Sequence, residues 1–174
     1  RPFVGAQEFI NGEERWCLWL DGADSAELRH IPPILDRITA VRQSRLASNR
    51  AATRDLAKTP SIFAFISHED TPYLLIPSVS SERRDYIPIG FMPPNTIPSN
   101  LCLAVYDATL YHFGVLTSAM HMAWMRQVGG RLKSDYRYSN KLVYNNFPWP
   151  EKITDERKAE IERQDQRKIG FLPA

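Results

Sequence analysis

At 174 residues, with 43% hydrophobic and 24% charged, the chain is long enough to bury one sizeable core and too apolar to be disordered. Its formal net charge is only +2, which excludes a polycation, so any nucleic-acid surface has to arise from local clustering. Two cysteines, Cys17 and Cys102, exclude a disulfide framework and form no CxxC pair, and no apolar run approaches the length needed to cross a bilayer. Together these features predict a soluble, cytoplasmic protein without membrane partners, and its abrupt ends read as those of a piece of something longer.

Taken in order, residues Phe3 to Leu20 read as a core hairpin turning at Asn11-Gly12, with Trp16, Leu18 and Leu20 alternating on the return strand. Burial of Trp16 and Trp19 outweighs a use in base stacking. Asp21 to Ser25 forms a polar loop. From Ile34 to Lys58 the pattern turns helical, with Pro33 in the first turn and Ile34, Leu35, Ile38 and Val41 on one stripe. Seven Lys or Arg against two Asp between Arg29 and Lys58 make this the most basic segment, read equally well as a solvated face or as a phosphate-tracking surface.

Beyond Pro60, the runs Ser61 to Ile66 and Tyr73 to Val79 read as strands, Pro77 marking a strand end or edge. In SSERRDYIPIGF, Ser80, Ser81, Arg83 and Arg84 supply hydroxyl and guanidinium donors suited to phosphate contacts, against the alternative of a turn with internal ion pairs to Glu82 and Asp85. Met92 to Asn100 is a turn-rich connector, Leu101 to Tyr106 a strand, and Asp107-Ala108 a turn or short helix. Ser118 is placed to cap a helix carrying Met120, Ala123, Trp124 and Val128 at helical spacing, and Gly129-Gly130 ends it in the left-handed conformation. A basic loop follows, RLKSDYRYSNK, in which Arg131, Lys133, Arg137 and Lys141 interleave with Tyr136 and Tyr138 around a single acid, Asp135. If the tyrosines alternate with Arg137 they pack on the opposite side; Trp124 and Trp149 belong to the core. Past Pro150, Thr154 caps a charged helix, DERKAEIERQDQRKI, that reads as a linker over residues 151–174 following a domain of residues 1–150.

Chemistry of catalysis is poorly supported. His30, His68, His112 and His121 have no metal-ligand spacing, and HExxH, GxSxG and Walker patterns are missing. Readout is better supported: a guanine presents acceptors in the major groove and its cytosine an amino donor, needs that Lys133 and Asp135 match, whereas the plainer reading of these two is a mutual surface ion pair. Arg137 suits a purine or a phosphate; Arg131 and Lys141 suit the DNA backbone.

Three blocks, GGRLKSDYRYSNKLVYNNFPWP, FGVLTSAMHMAW before it and IPSVSSERRDYIPIGF upstream, resemble in order the target recognition domain of MmeI-like enzymes, single polypeptides joining a nuclease, an adenine-N6 methyltransferase and a DNA-reading domain. The family's Asn-Pro-Pro-aromatic tetrad is absent, and Asn145-Asn146-Phe147-Pro148 is a different arrangement. The resemblance therefore implies an α/β (α+β-like) recognition domain, with a mixed or mainly antiparallel sheet and two to three helices, that binds double-stranded DNA. It implies no cofactor in this fragment. S-adenosylmethionine, and magnesium for any nuclease, would serve neighbouring parts, the methyltransferase domain of the same polypeptide being the partner. It also implies that Lys133 and Asp135 occupy a position where charges exchange between members with different targets, and that Leu101 lies across the groove for a shape or thymine-methyl contact. Two rival readings remain: a protein-interaction module docking through the basic helix and charged tail, and a hydrolase built from Asp107, His112 and His121.

Overall fold

The computed structural model describes residues 1–66, 68–150 and 153–169. The chain divides into two compact units, one of Arg1–Trp16 with His68–Ala174 and the other of Cys17–Ser67.

The larger unit is built around one strand. β2 (Tyr73–Pro77) is buried at every residue and lies between β4 (Gly90–Met92) and β6 (Cys102–Tyr106), antiparallel to both. Successive strand side chains point to opposite faces, so a strand in the middle of a covered sheet must be apolar throughout, and YLLIP is. Leu74 and Ile76 enter one core with Ile87, Ile89, Phe113, Leu116, Met122, Met125, Tyr136, Tyr138 and Val143. Tyr73 and Leu75 enter another with Val4 and Cys102. Each of these aliphatic side chains stabilises the fold by about 1.5 to 3 kcal/mol on burial. Pro77, expected at a strand end, is the last residue of β2 and pairs with Cys102 where β4 no longer runs alongside. Cys102 is a free thiol pushed up to about 11 by burial.

β1 (Phe3–Val4) pairs in parallel with β5 (Ile97–Pro98). The hairpin expected over Phe3 to Leu20 does not form. Its first arm is instead α1 (Ala6–Asn11), started by the Glu8 carboxylate accepting from the Gly5 amide at 2.9 Å. Gly12, at φ 67 and ψ 30, closes that helix in the left-handed conformation. The Asn-Gly pair thus marks a helix end, and Trp16, paired with Pro2 by a single bridge, is 68% exposed rather than core.

In the smaller unit, α2 (Ser25–Leu28) precedes α3 (Pro32–Leu46), α4 (Ala51–Asp55) and a 3-10 turn (Leu56–Lys58). The helical expectation over 34–58 holds, interrupted near Ser48. No strand forms over 61–66; the segment runs in turns and leaves Phe65 exposed. Arg45 accounts for the path taken: its guanidinium donates to the carbonyls of Leu56, Thr59 and Ile62, each at 2.8 Å. Trp19 packs on Phe63 at 5.4 Å within the same unit.

Three further helices complete the larger unit: α5 (Leu110–Leu116), α6 (Ala119–Val128) and α7 (Asp155–Ile169). Among the described residues, besides the three α-helices of ten residues or more, α3, α6 and α7, there are the four short ones α1, α2, α4 and α5. The Ser118 hydroxyl caps α6, accepting from the His121 amide at 3.1 Å, but the buried stripe is His121, Met122 and Met125; Met120 and Ala123 face outward. Thr154 caps α7, whose Ile161 packs with Ile153 against Tyr111, Val115 and Phe147. Glu151, Lys152 and residues 170–174 of the expected linker lie outside the described residues.

Candidate nucleic-acid interface

The basic stretch after α6 is not a loop. It forms an antiparallel hairpin of β7 (Gly130–Leu132) and β8 (Asp135–Arg137), and β8 also pairs with β3 (Val79–Ser80). Gly129, which precedes it, is extended rather than left-handed, at φ −70 and ψ 149. Glycine is needed there for room, because a Cβ would stand 2.4 Å from the Met125 carbonyl oxygen. The turn falls on Lys133 and Ser134, with Lys133 at φ 56.

Register sorts the side chains by face, since partners across a ladder share one. Ser80, Tyr136 and Arg131 lie on the inner face, Tyr136 and Ser80 being buried there. Val79, Arg137, Gly130, Asp135 and Leu132 share the outer face. The alternation expected of the tyrosines is therefore present: Tyr136 and, beyond β8, Tyr138 are buried, while Arg137 is exposed.

Lys133 is exposed at the tip and Asp135 half-buried beside it, and none of the ion pairs among the described residues joins the two. The mutual surface pair is thus not made, and both charges stay available. Arg131 is differently placed. Its guanidinium lies 4.0 Å from the centroid of the Tyr136 ring and donates to the Ser134 carbonyl at 2.8 Å, so it braces the turn from within.

Leu101 is 62% exposed at the edge of β6, and its carbonyl accepts from the Ser78 amide at 2.9 Å. The Ser78 carbonyl in turn accepts from the Tyr138 amide at 2.9 Å, so one residue ties Leu101 to the foot of the hairpin. Beside the foot of the hairpin opens a cleft of about 420 Å³ walled by Ser78, Leu103, Arg131, Arg137, Asn140 and Leu142. Lys141 is exposed on the π-helical turn Asn140–Tyr144 that borders it.

The serine-arginine segment divides. Ser80 is buried with its hydroxyl unpartnered, which removes it from the surface where a phosphate contact was expected. Ser81 opens a turn, its Oγ accepting from the Arg83 amide and its carbonyl from the Arg84 amide; Arg83 is exposed and Arg84 half-buried. The alternative, ion pairs to Glu82 and Asp85, is not among the ion pairs of the described residues. Instead Arg126 of α6 donates to the Asp85 carbonyl at 2.7 Å and anchors the turn. Sequence reading missed Arg126, together with Leu132, exposed on β7, and Leu142, exposed on the wall of the cleft. Leu132 carried a signal in its alternation with Arg131, which the double glycine obscured; Leu142, on the π-helical turn, carried none.

The two histidines of the hydrolase reading are engaged elsewhere. The Nδ1 of His112 is bonded at the Thr109 cap of α5, and His121 is fully buried, its charge disfavoured by burial to a value of about 4. No group of three metal-binding side chains occurs among the described residues.

The family described as "MmeI, target recognition domain" matches residues 1–151. The chain belongs to this family. Over 99% of its length the MmeI-family domain superposes on the type IIL restriction-modification enzyme MmeI, solved in complex with DNA, with a TM-score of 0.95 and 49% sequence identity, covering 23% of that chain. It is also 48% identical over 163 residues to DNA methyltransferase A of Bacillus subtilis (strain 168), across 93% of this chain and 18% of that relative. The chain thus spans about a fifth of the length of the proteins it matches. Its mixed helices and mainly antiparallel sheets are those of the MmeI-family fold, and no described helix is long and apolar enough to cross a membrane.

Proposed function

We propose that this domain recognises a specific sequence in double-stranded DNA for a larger cytoplasmic adenine-N6 methyltransferase, within which residues 1–150 read and the tail beyond leads toward other parts. The observation that carries the reading is the uncompensated pair Lys133 and Asp135 at the tip of a hairpin whose inner face is fixed in the core. A protruding two-stranded ribbon fits the major groove, where the Lys133 ammonium donates to guanine and the Asp135 carboxylate accepts from the N4 amino group of its cytosine. Arg137, on the same face, takes a neighbouring purine or a phosphate. Leu101 contributes an apolar contact from across the cleft.

Arg83, Lys141 and the Ser81 turn set register on the phosphates, with Arg84 and Arg131 contributing the rims of the same surface. S-adenosylmethionine supplies the methyl group in the parent, and a magnesium ion serves a nuclease part where one is present. The Asn-Pro-Pro-aromatic tetrad is absent from this chain, so the methyl-transfer step is assigned to a neighbouring part. The domain's own contribution is to fix the duplex so that one adenine can be extruded into the neighbouring pocket.

Modified adenines are mapped in DNA exposed to the parent protein carrying Lys133→Glu with Asp135→Arg. The exchange is expected to move the site at one G·C position only, with discrimination of about 1 to 3 kcal/mol per base contact. An unchanged site with retained activity would refute the reading.

A further inference from the structure

The hairpin is joined to α6 at both feet. It leaves the helix at Gly129, whose amide donates to the Met125 carbonyl at 2.8 Å, and it returns at Tyr138. Tyr138 Oη shares a hydrogen bond of 2.9 Å with His121 Nε2 in the first turn of the same helix. Both side chains are buried, His121 completely and Tyr138 to 3% exposure. The His121 backbone is fixed by its amide's bond to the Ser118 cap, and the imidazole packs edge-on to Phe147 with centroids 4.5 Å apart. One end of α6 therefore holds the entry of the hairpin and the other end holds its exit.

A polar pair is a poor choice for cohesion alone. Around it the core is apolar, with Met122, Met125, Leu116 and Val143, and His121 Nδ1 is buried without a partner. An unmatched buried polar atom lowers stability, whereas two well-packed apolar rings would not. What the polar pair adds is direction, because a hydrogen bond fixes the angle of the phenol and packing alone does not.

We propose that His121 and Tyr138 are positioning residues for base readout: their bond sets the pose of β8 and so sharpens the discrimination made by Asp135, Arg137 and Lys133. This rests on the hairpin being the reader, as proposed above. Neither residue touches DNA; both act through the orientation of β8, which ends beside Tyr138.

The test compares the parent protein with its Tyr138→Phe and His121→Phe/Tyr138→Phe variants. The readouts are thermal unfolding and the ratio of kcat/KM on the cognate duplex to that on a duplex altered at one recognised pair. The single variant is expected to lose about tenfold in that ratio, since a site held loosely by its supporting residues loses specificity first. The double variant, with no polar atom left unmatched, is expected to regain the wild-type unfolding temperature but not the ratio. Recovery of both would make the pair merely structural and overturn the inference, as would an unchanged ratio in the single variant. The Lys133→Glu/Asp135→Arg exchange is run in parallel. If it moves the site while both phenylalanine variants keep the wild-type ratio, only the positioning role fails; if it does not move the site, the hairpin is not the reader and both ideas fall.

Discussion

His121 gives stability a pH dependence that can be signed. Burial holds its pKa at about 4, below the ordinary value near 6.5, so the unfolded chain takes up a proton before the folded one does. Its contribution is full above about pH 6.5 and is lost as pH falls toward 4, an effect of about 3 kcal/mol. Urea unfolding of wild type and His121→Phe should therefore converge over that window, the wild type falling more steeply. Gly129 makes a second demand at this scale. Its Cβ-sized gap against a backbone oxygen cannot be relieved by a rotamer change, so Gly129→Ala should cost about 1 to 3 kcal/mol in the same assay. A glycine at that place was legible from the sequence; its reason was not. The helix end favoured a left-handed residue, whereas the backbone is extended and the constraint comes from the Met125 carbonyl one turn earlier.

Elements declared themselves where local chemistry decided them. β2 is legible as an unbroken apolar run, the Ser118 cap from its hydroxyl, and α3 from Pro33 and its periodicity. They stayed hidden where a distant partner decided them. The 61–66 segment is apolar enough for a strand, yet its neighbourhood is set by Arg45, which binds Thr59 and Ile62 carbonyls that a ladder would have used differently. Arg45→Ala should loosen the smaller unit by about 1.5 to 3 kcal/mol, since its bonds are charge-assisted, and hasten proteolysis between residues 47 and 62. Arg45→Lys should not restore it, because an ammonium lacks the planar fork that reaches three carbonyls. The β7–β8 hairpin belongs to the same class. Its charges are legible in the sequence, but the burial of Ser80 is not, because only the pairing with Tyr136 reveals which way it points.

At the scale of the molecule, the net charge of +2 requires DNA affinity to come from a few local cations. Filter binding of the parent between about 50 and 200 mM salt should show the slope of log K against log salt falling by about 1 for each of Arg83→Ala and Lys141→Ala, with cognate and altered duplexes weakened alike. Lys133→Ala, by contrast, should weaken the cognate duplex selectively. The division of the hairpin into two faces reaches beyond binding. Tyr136 and Ser80 are buried on the inner face and tolerate little change; Leu132 and Arg137 on the outer face are exposed, so variation there leaves the core intact. Only Lys133 carries a local restriction, because at φ 56 a β-branched side chain would be strained. On the proposed reading, target preference can change at Asp135 and Arg137 across many residue types, while the backbone at position 133 favours unbranched side chains, asparagine and glycine over valine, isoleucine and threonine.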